Sequence, residues 1–121
     1  MTFVIIEDEY LIALHMQRCL ESAGHICLGI EAEGDKGIRL VQEKEPEIII
    51  LDILLAGMMS GIDVAKEIRK FSKAMIVFTT GYTSCEMLSK LESISESVVF
   101  PKPVSLNKLI NYIEKLKQNN N

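Results

Sequence analysis

Short, nearly continuous apolar runs recur along this chain: "FVII" at Phe3–Ile6, "ICLGI" at Ile26–Ile30, "IIIL" at Ile48–Leu51, "MIVF" at Met75–Phe78 and "SVVF" at Ser97–Phe100. A strand with one wet face alternates apolar and polar residues, so unbroken runs imply strands covered on both faces. Helical spacing fills the intervals. Ile12, Met16, Leu20 and Ala23 share one face, as do Met87, Leu91 and Ile94. Leu106, Leu109, Ile110, Ile113 and Leu116 follow the i, i+3, i+4, i+7 rule behind a Ser105 cap. Further helices are expected over about 36–44 and 62–71, and Gly24, Gly34, Gly61 and Gly81 punctuate element ends. Covered strands separated by helices predict a parallel sheet with right-handed crossovers. The fold class is therefore α/β: a doubly wound, flavodoxin-like, five-stranded parallel sheet in the order 2-1-3-4-5, with helices on both faces.

The 121 residues form one domain, 1–121, of which 118–121 read as a polar tail or the start of a linker. At 48% hydrophobic and 25% charged the chain is globular rather than disordered. A net charge of −4 argues against direct contact with nucleic acid, which calls for a basic face. "MTFVIIEDEY" has no basic leader, and no apolar run reaches the length of a membrane span. The expected location is the cytoplasm. Cys19, Cys27 and Cys85 have no CxxC spacing and lie in apolar stretches, so buried free thiols are expected rather than a zinc site.

In an open α/β sheet, function gathers beyond the carboxyl ends of the strands, at the switch in strand order. The first strand ends in Glu7, Asp8 and Glu9, the third in Asp52. The fourth runs into "TTGYT", Thr79–Thr83, and the fifth into "FPKPV", which holds Lys102. The second ends in "EAEG" at the sheet edge, away from the crevice. Crowded carboxylates repel, so a proton or a cation must join them. With oxygen ligands only, and neither His15 nor His25 placed near them, a hard divalent ion fits, and Mg²⁺ fits best. A carboxylate, Mg²⁺, an ammonium and a hydroxyl together describe a site for a phosphoryl group, with Asp52 as its nucleophile. Each piece alone has a plainer role. "EDE" could be a solvated loop, Asp52 a loop cap, Thr80 a β-position filler and Lys102 an ordinary surface lysine. Only their joint placement at four strand ends makes a site. For His15, His25, Tyr82 and Tyr112, structural or surface roles are expected.

These residues resemble the receiver domain of bacterial two-component response regulators, over Thr2 to Lys117. The resemblance rests on "VIIEDE", "IIILDILL", "GIDVAKEIR", "VFTTGY" and "FPKPV" in register. Asp8 to Asp52 spans 44 residues, Asp52 to Thr80 28, and Thr80 to Lys102 22. It implies that Glu7, Asp8, Asp52 and the backbone carbonyl of Leu54 hold Mg²⁺. It also implies that Asp52 is the phosphoacceptor, that Thr80 hydrogen-bonds the phosphoryl group and Lys102 pairs with it, and that Lys102–Pro103 is cis. The implied partners are a sensor histidine kinase or phosphotransfer protein and a downstream output domain or partner protein. A homodimer would use the face made by residues 84–94 and 97–117. Such a domain is not an enzyme in the usual sense, catalysing only its own phosphorylation and dephosphorylation.

The sequence departs from the family at three places. Ala56 stands where Pro is frequent, the loop to Gly61 is one residue longer, and Val99 occupies the usual aromatic switch position. The last implies that any signal leaves through the loop after Thr80 and the helix that follows. Leu54 and Tyr82 would flank the phosphoryl group and exclude water, slowing its hydrolysis. Two other classes stay open. A degenerate receiver would act as a phosphorylation-independent interaction module. A haloacid-dehalogenase-like phosphatase would need a second Asp where this chain has Leu54.

Overall fold

A computed structural model describes residues 1–81 and 84–119 of the chain. The elements alternate as β1 (Thr2–Ile6), α1 (Tyr10–Ser22), β2 (Ile26–Glu31), α2 (Gly34–Lys44), β3 (Ile48–Asp52), α3 (Gly61–Ile68), β4 (Met75–Thr80), α4 (Cys85–Glu92), β5 (Ser97–Pro101) and α5 (Leu106–Asn119). All strand pairs are parallel and the order is β2-β1-β3-β4-β5, as the apolar runs predict.

Alternation along the central strands divides the core in two. Ile49, Leu51, Ile76 and Phe78 face α2, α3 and α4, packing with Val64, Ile68 and Leu91. Ile48, Ile50 and Val77 face α1 and α5, packing with Met16, Leu20, Leu109 and Ile113. Every residue of β3 is buried, whereas the edge strands β2 and β5 contain none that is fully buried. That difference corrects the expectation for the cysteines. Cys27 on edge strand β2 and Cys19 on the flank of α1 are half-buried, and Cys85, the first residue of α4, is exposed. An apolar neighbourhood in sequence does not bury a residue on the wrong face of a helix. The same reason exposes Ile12: α1 buries Ala13, Met16 and Leu20 instead.

α3 begins at Gly61 behind a capping box, in which Ser60 Oγ accepts from the Asp63 N–H while the Asp63 carboxylate accepts from the Ser60 N–H. It ends at Ile68 rather than near 71, where the chain tightens into turns with the Lys70 N–H donating to Glu67 O (3.2 Å) and the Phe71 N–H to Ile68 O (3.1 Å). The Arg69 guanidinium reaches four carbonyls of two loops. Nε donates to Ser95 O (2.9 Å), Nη1 to Ser72 O (3.0 Å), and Nη2 to Ala74 O (2.7 Å) and Glu96 O (2.8 Å). Burial lowers the Arg69 pKa, with the Glu96 charge acting against that. Removing these donors leaves several carbonyls short of partners, so Arg69→Leu is expected to destabilise the fold by about 2 kcal/mol. Arg69→Lys should recover little, since an ammonium lacks the planar fork. Urea denaturation of the three proteins reads both.

His25 is buried in a structural role, its Nδ1 2.9 Å from the Met1 amino nitrogen and its Nε2 2.9 Å from the Glu114 carboxylate. Tyr112 is also structural: its hydroxyl donates to Met75 Sδ (3.6 Å) and its ring meets Phe100 edge-on at 5.9 Å. Tyr82 lies outside the described residues.

Candidate functional site

The strand register builds the site. The last β1–β3 pair is Ile6–Leu51, so Glu7 stands level with Asp52 one residue further on. Asp52 pairs with Thr79, and Thr79 with Phe100. These four residues continue the α1/α5 face of the sheet, one step above Ile5, Ile50, Val77 and Val98. Glu7 (2% exposed) and Asp52 (4%) are therefore carboxylates at the rim of a dry core. Asp8, the next residue along from Glu7, is exposed, and one oxygen from each of Glu7, Asp8 and Asp52 lies within 4.8 Å of the others.

Lys102 bridges two of them. Its Nζ lies 2.9 Å from Glu7 Oε1 and 2.9 Å from Asp52 Oδ2. Burial works against the ammonium, but hydrogen bonds to Asp52 and Glu7 outweigh it and its pKa is raised. Burial likewise disfavours the Glu7 carboxylate, and with the neighbouring Asp52 it lifts the Glu7 pKa to about 7 despite Lys102. Two backbone donors complete the arrangement: the Glu9 N–H to Glu7 Oε2 (3.3 Å) and the Leu54 N–H to Asp52 Oδ1 (3.2 Å). Asp52 thus also closes its own loop, as an Asx turn does. Leu54 itself is 69% exposed.

Lys102 is aimed by its backbone. Its N–H donates to Thr80 O (2.7 Å), extending the β4–β5 ladder, and the Lys102–Pro103 bond is cis. Thr80 is the buried last residue of β4. The loop from Asp52 to α3 folds back on β3 through the Gly61 N–H to Ile53 O bond (2.7 Å).

Of the strand-end residues expected from the sequence, Glu7, Asp8, Asp52 and Lys102 come together, Thr80 adjoins them through its backbone bond to Lys102, and two neighbours were missed. Thr79, rather than Thr80, stands in the row of Asp52. Strict alternation from Val77 signals this. His15 is nearer than expected: it lines a groove of about 590 Å³ together with Glu7, Lys102 and Thr79. It takes no part in the carboxylate cluster, and its Nε2 lies 4.0 Å from Cys19 Sγ.

Chemically, the cluster is three carboxylates of oxygen-only character and a single ammonium, which suits a hard divalent cation and an anionic group together. The sequence model of the family described as "Response regulator receiver domain" matches residues 3–114. The chain belongs to this family. As a receiver it is 28% identical over 111 residues to the transcriptional regulatory protein PdtaR of Mycobacterium tuberculosis, covering 92% of this chain and 54% of that protein. It is 34% identical over 80 residues to the phyllosphere-induced regulator PhyR of Methylorubrum extorquens, covering 65% of this chain and 30% of PhyR. The receiver therefore spans about half or less of the length of these relatives. Among solved structures, the signal receiver domain of a modulated diguanylate cyclase from Desulfovibrio desulfuricans superposes with a TM-score of 0.85 at 27% identity, covering 94% and 90% of the two chains. The PhyR receiver domain of Erythrobacter litoralis gives 0.81 at 27% identity, covering 94% and 87%.

Proposed function

We propose that this receiver accepts a phosphoryl group on Asp52 from a sensor histidine kinase or phosphotransfer protein, in a Mg²⁺-dependent reaction that switches a protein-interaction face. The observation that carries the reading is Lys102 reaching both Glu7 and Asp52 at 2.9 Å inside a three-carboxylate cluster. A lone structural aspartate needs no such company.

Glu7, Asp8, Asp52 and the Leu54 carbonyl would hold Mg²⁺, which when bound neutralises phosphoryl oxygens and screens the carboxylates from one another. The chain's own residues do the rest. An Asp52 carboxylate oxygen attacks phosphorus in line, the bond from phosphorus to the donor nitrogen breaks, and a mixed anhydride forms on Asp52. The leaving imidazole keeps the bonding pair and takes up a proton. Lys102 pairs with the phosphoryl oxygens and Thr80 donates a hydrogen bond to one of them. Hydrolysis regenerates Asp52, so the domain catalyses only its own phosphorylation and dephosphorylation and is a signalling module of the cytoplasm.

The switched face would be α4, β5 and α5, read by an output domain, a partner protein or a second protomer in a homodimer. Val99 on β5 packs against the α4 side of the core and has no ring to swing. The change therefore passes through the segment after Thr80 and α4. A net charge of −4 argues against direct nucleic-acid contact, and no helix among the described residues is long and apolar enough to cross a membrane.

The test uses acetyl phosphate as donor. With Mg²⁺ the intact mass is expected to rise by one phosphoryl group, with EDTA it should not, and Asp52→Asn should abolish the gain. An equal gain in Asp52→Asn would sink the assignment. No gain in the wild type, under conditions that modify a known receiver, would favour a phosphorylation-independent interaction module.

A further inference from the structure

Thr79 is buried (1% exposed), and its Oγ1 finds no hydrogen-bond partner among the described residues. A hydroxyl left unpaired in a dry place is costly and calls for an explanation. Its position suggests one. Lys102 is anchored on the far side of β4 by its N–H to Thr80 O, yet its Nζ meets Asp52 on β3 and Glu7 after β1. Strands are about 4.8 Å apart, so the side chain must cross β4 to get there. The β4 residue on that face, level with Asp52, is Thr79, and it lines the same groove as Lys102.

The Lys102 ammonium and a divalent cation compete for the same two carboxylates. Both are positive and would sit within a few ångströms of one another, so they repel. When Glu7 is claimed by a cation, Lys102 loses one of its two partners. The unpaired acceptor on its own path is Thr79 Oγ1. We infer that Thr79 is a positioning residue for Lys102: its hydroxyl takes the hydrogen bond that the ammonium gives up when the carboxylates bind Mg²⁺. Its unpaired state without metal is then one half of an exchange. Because the inference rests on the proposed Mg²⁺ site, its test must separate the two.

Wild type, Thr79→Val, Thr79→Ser and Glu7→Gln are compared by metal-free thermal midpoint, by amide NMR during Mg²⁺ titration and by the ¹⁵N shift of the Lys102 ammonium. Thr79→Val removes an unpaired polar atom at nearly constant shape, so its metal-free midpoint should rise by about 3 °C. Its Mg²⁺ affinity should nevertheless fall about tenfold, through loss of a charge-assisted hydrogen bond. Thr79→Ser should restore the affinity, and at Mg²⁺ saturation the Lys102 ¹⁵N shift should reach the same value in wild type and Thr79→Ser but a different one in Thr79→Val, where the replacement partner is missing. Equal affinity in wild type and Thr79→Val overturns the inference while leaving the site intact. So does a joint loss of stability and affinity, which is what a merely structural threonine would give. Absence of any Mg²⁺ response that Glu7→Gln removes would overturn both the site and the inference.

Discussion

Replacing Gly61 with alanine is expected to destabilise the domain by about 3–5 kcal/mol, among the largest effects of any single methyl group here. A Cβ on Gly61 would overlap the Asp52 carbonyl oxygen and stand 2.7 Å from Ile53 Cα and 2.9 Å from the Asp52 carbonyl carbon. All three are backbone atoms of the fully buried strand β3 and the turn that leaves it, so no side chain can swing aside. Relief requires either breaking the Gly61 N–H to Ile53 O bond of 2.7 Å or moving the Asp52 backbone. Moving Asp52 would separate its carboxylate from Lys102 and Glu7. The variant should therefore lose phosphoacceptance even under conditions where it remains folded. Urea denaturation together with the acetyl phosphate mass assay separates the two losses. An alanine variant with unchanged midpoint and unchanged phosphorylation would show that the loop is free to pack elsewhere. At Gly57, where a Cβ would meet nothing within 4 Å, φ of +94° is the only penalty, so Gly57→Ala should cost about 1 kcal/mol.

Gly61 also shows what kind of information the sequence carries. The sheet order is legible because unbroken apolar runs and helical spacing are consequences of burial, and burial is what the fold is made of. The convergence of Glu7, Asp8, Asp52 and Lys102 is legible because carboxyl strand ends at one switch point share a crevice whatever their separation in sequence. Gly61, in contrast, reads as a punctuation mark. That its α-carbon must touch the Asp52 backbone depends on the three-dimensional path of the loop. Arg69 was unremarkable for the same reason: its acceptors are backbone carbonyls, which every residue has, so no pattern of side chains announces it. The cysteines failed differently. Hydropathy averaged over neighbours placed them inside, but Cys85 begins a helix and Cys27 lies on an edge strand. Thr79 is legible through the alternation along β4, but of two adjacent threonines only Thr80 has a counterpart in the family pattern.

The second large effect is a loss of stability in the metal-free protein as pH rises from about 4.5 towards neutrality. Glu7 has its pKa lifted from 4.5 to about 7, first by burial and then by Asp52, with Lys102 acting in the opposite direction. A carboxyl whose folded pKa is raised binds its proton more tightly in the native state than in the unfolded chain. Its contribution is fully present below pH 4.5, falls between there and about pH 7, and is gone above. The shift corresponds to about 3 kcal/mol over that window. His25 acts with the opposite sign. Burial and the Met1 amino group lower its pKa against the pull of Glu114, so its stabilising effect grows as pH rises through the ordinary histidine range. The measurement must therefore be a difference. The difference between the urea midpoints of wild type and Glu7→Gln, taken in EDTA from pH 5 to 8.5, should favour wild type most at the low end, shift steadily towards Glu7→Gln up to about pH 7, and stay constant above it. Mg²⁺ should reverse the high-pH arm in the wild type alone, because a cation favours the ionised Glu7 that burial disfavours, and Glu7→Gln offers it no charge. Parallel pH curves for the two proteins in EDTA would mean that Lys102 keeps Glu7 ionised throughout, and that the cluster is held together by the ammonium rather than by a shared proton.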